Sequence, residues 1–402
     1  MTTAPETGAL TLPAPDGAAR THSDACVSAI RREITGSDQV ISFERYMDLA
    51  LYAPGLGYYA AGATKFGPDG DFLTAPDVST LFGKCLARQI AELFEQGVPR
   101  VIFEAGAGNG ALAKVLLDEL ANLECTPRRY TILEPSPELS GRQREQLEGH
   151  AAAEDTLEWT DDFPPAGFAG VVIANEVLDA MPVCRFWQQH ACFELGVGFE
   201  DGRLCWRPMP LTTPGLDTAI ADLQSRLGGP FATGYVSEVS LVSRHWLTEL
   251  VSRLNDGVVL LFDYGYASEE YYHPQRTHGT LSCFYRHRRH SDPFWLPGLQ
   301  DITAHVDFSA MASAAVEAGG EVAGYTTQAN FLLSCGVADM FAHLEPASAD
   351  FIRLSAELKT LTLPAEMGDV VKVMAISRNL DAPLLGFAER DFRDRLWKPH
   401  KS

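Results

Sequence analysis

Apolar residues recur at helical spacing in the segment that follows Ser79. They repeat with a period close to 3.6 residues, which places them on one face of a helix. The apolar positions are Leu81, Phe82, Cys85, Leu86, Ile90, Leu93 and Phe94. Ser79 is a suitable N-cap, and Gly97 lies just past the last apolar position. The pattern predicts an amphipathic helix between these two residues.

Beyond this helix, short apolar runs alternate with helical patterns. Strands are predicted at residues 101–104, 130–134, 157–159, 171–174 and 258–263. Helices are predicted between them at residues 111–120, 138–148 and 241–254. The runs at 171–174 and 258–263 are almost continuously apolar, which is typical of strands covered on both faces. The alternation predicts an α/β fold with a mostly parallel sheet and helices on both faces.

Two segments interrupt this alternation and predict insertions around a central core. Residues 184–240 contain a predicted hairpin around the dipeptide Asp201-Gly202, which suits a tight primed turn between strands at 192–199 and 203–207. Residues 265–365 are rich in aromatic residues, histidine and glycine and then become helical, so we expect a cap over the open end of the sheet. The expected organisation is a flexible tail at 1–22, a helical and loop region at 23–97, a core at 98–380 and a C-terminal tail at 381–402.

The net charge of the chain argues against a nucleic-acid partner. The chain has 402 residues, and 32 Lys plus Arg against 53 Asp plus Glu give a formal net charge of −21 at pH 7. An acidic chain is poorly suited to bind nucleic acid, because affinity for phosphates comes from Lys and Arg. The one dense basic run, at 286–290, has aromatic neighbours that fit a core equally well. We therefore expect no nucleic-acid partner.

The sequence carries no pattern for a membrane span, a secretory signal or a metal site. No stretch approaches the roughly 18 apolar residues of a membrane helix, and no charged N-terminal segment precedes an apolar one. The eight cysteines include no C-x-x-C pair, which favours reduced core thiols over zinc. We expect a cytoplasmic protein without membrane insertion and without a metal.

A glycine-rich turn follows the first predicted strand of the core. The sequence EAGAGNG at 104–110 places Gly106, Gly108 and Gly110 between a strand and a helix, where backbone can approach a ligand closely. Read from Gly106, the loop fits a loose dinucleotide fingerprint. Read from Glu104, it fits the pattern of S-adenosylmethionine-binding folds. The loop by itself leaves both cofactor classes open.

Acidic residues follow the next two strands. Glu134 ends the second strand, where a carboxylate can accept hydrogen bonds from a ribose diol in either cofactor class, although it could serve only as an acid at a helix N-terminus. Asp161 and Asp162 follow the third strand and could reach an adenine amino group, although a solvated loop explains them equally well. Together with Glu104 and the three glycines, these acids are the candidate cofactor-binding residues.

The segment after the fourth strand separates the two cofactor classes. It reads NEVLDAMP at 175–182, so Asn175, Glu176 and Asp179 lie where α/β sheets bind their ligands. A dehydrogenase has no obvious need for an amide and two carboxylates there. A methyltransferase acting on nitrogen does, because its acceptor must be oriented and must lose a proton. The alternative is that these carboxylates only cap a helix or form hydrogen bonds within the loop, and this alternative has more weight for Asp179 than for Glu176.

Six segments that occur together in one order carry a family resemblance. They read YM at 46–47 with LYAPGLGYY at 51–59, GDFLTAPD at 70–77, EAGAGNG at 104–110, NEVLDAMP at 175–182, DYG at 263–265 and DITAHVDF at 301–308. Over about residues 41–376 the chain resembles the MidA-like family of S-adenosylmethionine-dependent methyltransferases. Members of that family often have Pro at the position of Ala107 and Glu at the position of Asp77. The glycines of the loop are intact, so the first difference should matter little to cofactor binding.

The resemblance implies a class I, Rossmann-like methyltransferase fold with S-adenosyl-L-methionine as cofactor. Mitochondrial members of the family are complex I assembly factors that methylate arginine on a subunit of that complex. The resemblance therefore also implies a protein acceptor that bears arginine, with a subunit of a respiratory NADH dehydrogenase as one candidate. Two other functions stay open: a non-catalytic assembly chaperone that binds the cofactor, and a methyltransferase acting on a small molecule or RNA.

An arginine acceptor would need carboxylates. Its guanidinium stays protonated in proteins, so carboxylates must hold it and help polarise one nitrogen. Glu176 and Asp179 are the candidates for this clamp, with Asn175 fixing the loop or the acceptor. His305 could instead accept the proton, because a near-neutral imidazole suits that role, although a structural role is also open.

The segment at 70–77 could form part of the cofactor site. It has Gly at one end and Pro76 near the other, which is typical of a shaped loop. Such a loop could close over the cofactor and present Phe72 and Thr74 to it. A rigid turn before the helix that follows Ser79 is the alternative.

Overall fold

The computed structural model describes residues 12–60, 74–150, 156–346 and 348–397. Its helices are α1 (Gly17–Gly36), α2 (Phe43–Tyr52), α3 (Ala75–Val78), α4 (Thr80–Glu95), α5 (Ala111–Asn122), α6 (Pro137–Leu147), α7 (Leu216–Leu227), α8 (Leu241–Arg253), α9 (Ser268–Tyr271), α10 (Phe308–Glu317), α11 (Gln328–Ser334) and α12 (Ala349–Thr362). Its strands are β1 (Ile41–Ser42), β2 (Val101–Ala105), β3 (Arg129–Leu133), β4 (Leu157–Thr160), β5 (Phe168–Asn175), β6 (Cys184–Gln188), β7 (Cys192–Glu200), β8 (Arg203–Met209), β9 (Val236–Val239), β10 (Leu254–Tyr266), β11 (Ser282–Tyr285), β12 (Arg288–His290), β13 (Asp301–Thr303), β14 (Val306–Asp307), β15 (Glu321–Thr327) and β16 (Val371–Arg378). Short 3₁₀ segments lie at Val337–Phe341, Leu385–Phe387 and Arg393–Arg395.

The central sheet has the strand order β15-β16-β10-β5-β2-β3-β4. The strands from β10 to β4 run parallel, whereas β16 pairs antiparallel with both β10 and β15. Strand β14 pairs in parallel with the last residues of β10. The predicted α/β fold with a mostly parallel sheet is confirmed. Its carboxyl edge is where ligands bind in such sheets.

Helices cover both faces of this sheet, and strand β5 shows how. Its side chains alternate between the two faces. Val171 and Ile173 pack into a cluster with α4, α5 and α11, whereas Val172 and Ala174 pack with α8 and α10. All four side chains are buried. Because neither face meets water, the strand is apolar throughout residues 171–174, as its sequence predicts, and becomes polar only at Asn175, its last residue.

The helix predicted after Ser79 is α4, and its N-cap is confirmed. The Ser79 Oγ accepts a hydrogen bond from the Leu81 N–H at 3.1 Å. Past its end, Gly97 adopts a φ of 97°, a conformation that glycine takes without strain. The other predicted elements occur with shifted ends; the strand expected at 258–263, for example, extends over Leu254–Tyr266.

The predicted hairpin is confirmed as β7 and β8. Asp201 and Gly202 have φ values of 47° and 79°, and two successive positive φ values are what a type I′ turn requires. The hairpin belongs to a second sheet in the order β1-β7-β6-β9, with β8 paired to β7. A third sheet joins β11 with β12 and β13.

The predicted tails are wrong in their extent. Helix α1 begins at Gly17, where the Asp16 side chain accepts a hydrogen bond from the Ala19 N–H at 2.8 Å. It is anchored further along by the buried residues Cys26 and Ile30. Residues 17–22 are therefore the first turns of a packed helix, which their weak apolar signal did not show. At the other end, Leu384, Phe387 and Leu396 are buried against the core, so residues 381–397 are not a free tail.

The boundary of the predicted cap is also wrong. Helix α10 packs on the central sheet and β15 is a strand of that sheet, although both fall within the 265–365 segment. The misassignment arose because β15 is an edge strand with only a half-buried start and so lacks the continuous apolar run of the inner strands. Within the described ranges, no helix is both long enough and apolar enough to cross a membrane.

Candidate active site

A cavity of about 600 Å³ opens at the carboxyl edge of the central sheet. Its size falls within the range of about 300–1,000 Å³ that is usual for ligand pockets. The glycine loop, the end of β3, the turn after β5 and helix α8 all contribute to its lining. Most sequence-predicted site residues meet here: Thr74, Glu104, Gly106, Gly108, Glu134, Asp161, Asn175 and Glu176.

The glycine loop forms the floor of the cavity. Gly106, Gly108 and Gly110 all have positive φ, at 67°, 56° and 86°. A Cβ atom on Gly106 would lie 3.0 Å from Cγ2 of Val177, so a side chain at this position is both strained and crowded. Gly110 is the N-cap of α5 and does not line the cavity. The loop thus turns backbone rather than side chains toward a ligand.

Glu104 lies at the end of β2 with its side chain buried. The Tyr130 hydroxyl donates a hydrogen bond to Glu104 Oε2 at 2.7 Å. Burial raises the pKa of Glu104 to about 7, and the hydrogen bond from Tyr130 opposes part of this rise. Its carboxyl group is therefore close to half protonated at neutral pH.

Glu134 follows β3 and is held by its neighbours. Its Oε1 accepts a hydrogen bond from the Ser136 N–H at 2.9 Å, and its Oε2 accepts one from Gln143 Nε2 at 3.0 Å. Gln143 Nε2 also lies 2.9 Å from the Gly108 carbonyl oxygen, and Gln143 Oε1 accepts from the Trp159 indole at 3.0 Å. One buried glutamine thus ties the acid to the glycine loop.

Gln143 was missed in the sequence, although a signal was present. It lies midway between Leu139 and Leu147 at helical spacing, on the buried face of α6. A polar side chain at such a position must find hydrogen-bond partners, because an unpartnered buried amide is costly. A polar residue within the apolar face of a helix near a glycine loop therefore predicts a side chain that forms hydrogen bonds to that loop.

The two aspartates after β4 have different positions. Asp161 lines the cavity with Phe163 and Trp246, whereas Asp162 does not line it. The Asp162 N–H instead donates to the Thr160 hydroxyl oxygen at 3.1 Å. The structure therefore places Asp161 in the cavity and Asp162 outside its lining.

The turn before α4 braces the glycine loop. Thr74 lines the cavity, and its hydroxyl donates to Asp77 Oδ2 at 2.8 Å. The Asn109 side-chain amide donates to the other oxygen, Asp77 Oδ1, at 2.8 Å. Asp77, where the resembled family often has Glu, therefore connects this turn to the loop. Phe72 lies outside the described residues.

Glu176 stands at the carboxyl end of β5 in an unusual conformation. Its φ is 52°, which is costly for a residue with a side chain and is common at functional sites. Its Oε1 lies 3.3 Å from the Ala75 N–H. Among the described residues, Glu176 Oε2 and the neighbouring Asn175 Oδ1 are buried without a hydrogen-bond partner. These two oxygens can therefore accept hydrogen bonds from a ligand in the cavity.

The environment of Glu176 favours its neutral form. Burial raises its pKa well above the ordinary value, and the nearby Asp179 carboxylate raises it further. The Ala75 amide and the Asn175 side chain offset only part of this rise. A cation placed beside Glu176 would lower the pKa again, since opposite charges stabilise each other.

Asp179 is buried and does not line the cavity itself. Burial raises its pKa well above the ordinary value, and the carboxylates of Asp263 and Asp301 add to the rise. The carbonyl of Asp179 accepts a hydrogen bond from the Ala304 N–H at 2.9 Å. Its neighbours Ala180 and Met181 do line the cavity. Asp179 therefore lies behind the lining of the cavity, where its carboxyl group raises the pKa of Glu176.

Two tyrosines on the wall of the cavity were not assigned from the sequence. The rings of Tyr52 and Tyr59 are stacked with centroids 5.4 Å apart, and both line the cavity. The Tyr52 hydroxyl donates to the Ala180 carbonyl at 2.9 Å, and the Tyr59 hydroxyl donates to Asp301 Oδ1 at 3.0 Å. The LYAPGLGYY segment thus supplies an aromatic wall of the cavity, and the hydroxyl groups of its two tyrosines form hydrogen bonds to residues on the acidic side of the site.

His305 does not line this cavity, which corrects its proposed catalytic placement. Its ring packs against Tyr264 and Tyr266, with centroids 6.3 and 5.2 Å away. Burial lowers the pKa of His305 to about 3, and nearby cations add to the effect. A ring with this pKa is neutral and a poor proton acceptor at neutral pH. In the part of the chain that the structure describes, no group of three or more His, Cys, Asp or Glu residues could hold a metal ion.

The fold and the cavity together define a class of protein. A parallel sheet with a glycine loop after its first strand, an acid after the second and a polar turn after the fourth is the arrangement of S-adenosylmethionine-dependent methyltransferases. The chain belongs to the family described as "Putative S-adenosyl-L-methionine-dependent methyltransferase", whose model matches residues 85–326.

Relatives and solved structures agree with this class. A Drosophila melanogaster protein named protein arginine methyltransferase NDUFAF7 homolog, mitochondrial, is 28% identical over 393 residues, which cover 87% of this chain and 85% of the relative. The Danio rerio protein arginine methyltransferase NDUFAF7, mitochondrial, is 28% identical over 364 residues, with 82% and 81% covered. A crystal structure from Burkholderia thailandensis with S-adenosyl-homocysteine bound is 41% identical, has a TM-score of 0.90, and covers 96% of this chain and 100% of its own.

The residues of the cavity fit S-adenosylmethionine as the cofactor. Only a residue without a side chain leaves the space above Gly106 open. Glu134 is positioned beside the glycine loop, where a carboxylate can accept hydrogen bonds from ribose hydroxyls. The aromatic side chains of Phe163 and Trp246 offer apolar surface for a base.

Proposed function

We propose that this protein transfers a methyl group from S-adenosylmethionine to a nitrogen of an arginine side chain in an acceptor protein. The observation that carries the proposal is the unpartnered, buried Glu176 Oε2 at the carboxyl edge of the sheet, backed by the acidic group around Asp179. Buried carboxyl groups without cationic partners favour a cationic ligand. A guanidinium supplies both the charge and the hydrogen-bond donors that Glu176 Oε2 and Asn175 Oδ1 lack.

The surroundings of Glu176 also select for arginine over a neutral acceptor. The carboxyl groups of Asp263 and Asp301 raise the pKa of Asp179, and the carboxyl group of Glu176 raises the pKa of Asp263, so carboxyl groups crowd together behind Glu176. A guanidinium relieves this crowding when it enters. A neutral alcohol or amide acceptor would leave the crowding as it is.

The chemistry divides between the cofactor and the chain. S-adenosylmethionine supplies a methyl group activated by its sulfonium charge and leaves as S-adenosylhomocysteine. The chain must orient the acceptor nitrogen toward that methyl group and exclude water. The nitrogen gains the methyl group and loses one proton. The bound guanidinium favours the ionised form of Glu176, and because burial raises the pKa of this carboxyl group, the carboxylate is a suitable acceptor for that proton.

A subunit of a respiratory NADH dehydrogenase is the proposed acceptor protein. The family resemblance supports this choice, and relatives named as mitochondrial arginine methyltransferases support a protein acceptor. Most of the length of these relatives is matched, so their activity is a reasonable guide to this chain. The proposed acceptor and the proposed arginine chemistry are separate statements, and they can fail separately.

Mass spectrometry of a candidate acceptor tests both statements. NADH dehydrogenase isolated from cells that lack this protein is incubated with the purified protein and S-adenosylmethionine, and methylated residues are then mapped. The Gly106→Val variant serves as the control for contaminating activity. Methylarginine on a dehydrogenase subunit, absent with the variant, supports the whole proposal. Methylarginine only on other proteins contradicts the acceptor, and methylation of RNA, small molecules or non-arginine residues alone contradicts the arginine chemistry.

A further inference from the structure

The stacked rings of Tyr52 and Tyr59 form a fixed part of the cavity wall. Their ring planes differ by only 17°, and their centroids are 5.4 Å apart. Each ring is held at its far end, because the Tyr52 hydroxyl donates to the Ala180 carbonyl oxygen and the Tyr59 hydroxyl donates to Asp301 Oδ1. Since both hydroxyl groups already donate, a ligand in the cavity meets the surfaces of the rings.

Tyr52 stands where the cavity opens to solvent, because it lines the cavity and is nevertheless 39% exposed. The tyrosine pair also connects two parts of the site. At one end, the Ser136 hydroxyl, in the turn after β3, donates to the Tyr59 carbonyl oxygen at 3.4 Å. At the other end, Ala180 belongs to the turn after β5 that carries Glu176. A side chain that enters from solvent beside Tyr52 therefore reaches Glu176 within one cavity.

Carboxyl groups act on both tyrosines. Burial of its hydroxyl end raises the pKa of Tyr52 well above the ordinary value. Four carboxyl groups raise it further, namely those of Asp301, Asp179, Asp48 and Glu134. Burial is also the main cause of the raised pKa of Tyr59, and the carboxyl groups of Asp301 and Asp179 add to it. These surroundings favour a cation beside the two rings.

The cations of the chain itself stack on other aromatic rings. Arg144, for example, lies 4.1 Å from the ring centroid of Trp159. Across the ranges that the structure describes, no arginine or lysine lies over Tyr52 or Tyr59. The face of an aromatic ring attracts a cation, because the ring quadrupole is negative there. The aromatic surface of this pair is therefore available to the cation of a ligand.

We propose that Tyr52, backed by Tyr59, stacks against the guanidinium of the acceptor arginine and is a specificity-determining residue of the site. This inference rests on the proposed function and adds a second contact to it, because Glu176 meets the N–H edge of the guanidinium while the ring meets its face. A guanidinium suits this arrangement, since it is planar and stacks on a ring while its N–H groups still donate. A lysine ammonium has no such plane, and a neutral acceptor lacks the charge.

Substitutions at position 52 test this role by steady-state kinetics with an arginine peptide that the protein methylates. Tyr52→Leu removes the aromatic face and should raise KM about five- to thirtyfold, with kcat little changed. Tyr52→Phe removes only the hydroxyl, so KM should stay within about twofold of the wild type. Trp397→Leu, which removes a ring that is 42% exposed and lies outside the cavity, is the matched control and should have no effect.

Fluorinated phenylalanines at position 52 give a readout that a merely structural role would not move. Fluorine withdraws electron density from the ring face while the size of the ring changes little, so each added fluorine weakens the attraction for a cation. We expect KM for the arginine peptide to rise stepwise with the number of fluorine atoms. Because these variants keep the ring, they test the inference even if Tyr52→Leu does not fold.

A binding measurement keeps this inference separate from the proposed function. A fluorotyrosine replaces Tyr52, and its fluorine NMR signal is followed with S-adenosylhomocysteine present while acetyl-arginine amide or acetyl-citrulline amide is added. Citrulline has nearly the shape of arginine without its charge. A shift with the arginine probe and none with the citrulline probe supports the inference, even if no arginine peptide is methylated.

Three results would overturn the inference. An unchanged KM in Tyr52→Leu and across the fluorinated series would show that the ring does not contact the acceptor, although arginine methylation would still stand. Equal responses to the arginine and citrulline probes would show that the ring does not recognise the charge. A Tyr52→Leu variant that loses affinity for S-adenosylmethionine but not for the uncharged S-adenosylhomocysteine would assign the ring to the sulfonium of the cofactor instead.

Discussion

Asp263 Oδ2 accepts a hydrogen bond from the backbone N–H of Leu178 at 2.8 Å, and this contact holds the turn that carries Glu176. The same oxygen lies 3.3 Å from the Asp179 N–H, while Oδ1 accepts from the Tyr264 N–H at 2.8 Å. Both oxygens of the Asp263 carboxyl group therefore accept hydrogen bonds from backbone N–H groups. Asp263 is a positioning residue that fixes the turn after β5 to the end of β10.

We expect Asp263→Asn to destabilise the protein and to reduce methyl transfer. An amide keeps one acceptor oxygen but points an NH₂ group at the other set of backbone donors, leaving at least one buried N–H unpartnered. The expected loss is about 1–3 kcal/mol in the free energy of unfolding, measured with urea. Asp256→Asn, near the other end of β10, is the matched control. Unchanged turnover in Asp263→Asn would show that the turn does not need this contact.

Gly106→Val should abolish cofactor binding. The new side chain would be strained at a φ of 67° and would crowd Val177, in the space above the loop. Isothermal titration with S-adenosylmethionine measures the effect. The control is Gly97→Val, since Gly97 also has a positive φ but has nothing within 4 Å of an added Cβ. If both variants still bind the cofactor, the loop is not its site.

Asp161 and Asp162 should differ in their effect on the cofactor. Asp161→Asn should weaken S-adenosylmethionine binding by about two- to tenfold, because the residue lines the cavity and a hydrogen bond to it is worth about 0.5–1.5 kcal/mol. Asp162→Asn removes the same charge one residue away and should leave the dissociation constant unchanged. Equal effects of the two substitutions would point to general charge rather than to contact.

Glu176→Gln should lower turnover at least about tenfold while cofactor affinity stays nearly constant. In the wild type, the guanidinium prefers the ionised carboxylate, and the pKa of Glu176 is raised in the free protein. Rising pH therefore ionises Glu176 and should lower KM for an arginine peptide until that pKa is passed. The variant should lose this pH dependence. Weaker cofactor binding with intact turnover would assign Glu176 to the cofactor instead.

Glu104 should make the free energy of unfolding depend on pH. Its pKa is about 7 when folded against 4.5 ordinarily, so between these values the folded chain holds a proton that the unfolded chain has released. Its contribution to stability is complete below about pH 4.5 and declines as the pH rises to 7, by at most about 1.4 kcal/mol per pH unit. Urea titrations should show a smaller decline for Glu104→Gln than for the exposed control Glu95→Gln. Identical slopes would contradict the raised pKa.

Much of the cofactor side of the site could be read from local sequence. Each of its parts follows directly from a strand: Gly106 after β2, Glu134 after β3 and Glu176 after β5. Parallel strands end at one edge, so residues that follow them meet there without any further information. Local sequence does not separate adjacent residues of the same type: Asp161 lines the cavity and Asp162 does not.

Residues that act across the fold could not be assigned in this way. His305 looked like a candidate base because histidine usually titrates near neutrality. Burial lowers its pKa to about 3, and Arg276, Arg289 and Lys372 add to the effect. These surroundings exist only when β10, β12 and β16 converge from distant parts of the chain. Gln143 likewise gains its role only when α6 packs against the glycine loop.

The sequence by itself determined the α/β class, the succession of strands and helices in the core, and the glycine loop. These features follow from hydrophobic periodicity and turn chemistry, which are local properties. Tertiary structure alone decided which charges face one another. It placed Asp179 near Asp263 and Asp301, it brought Arg276 and Lys372 onto the ring of Tyr266, and it set the extent of the packed ends of the chain. The reason is physical: burial and the distance between charges fix a carboxyl's or an imidazole's protonation, and neither quantity exists until the chain has folded.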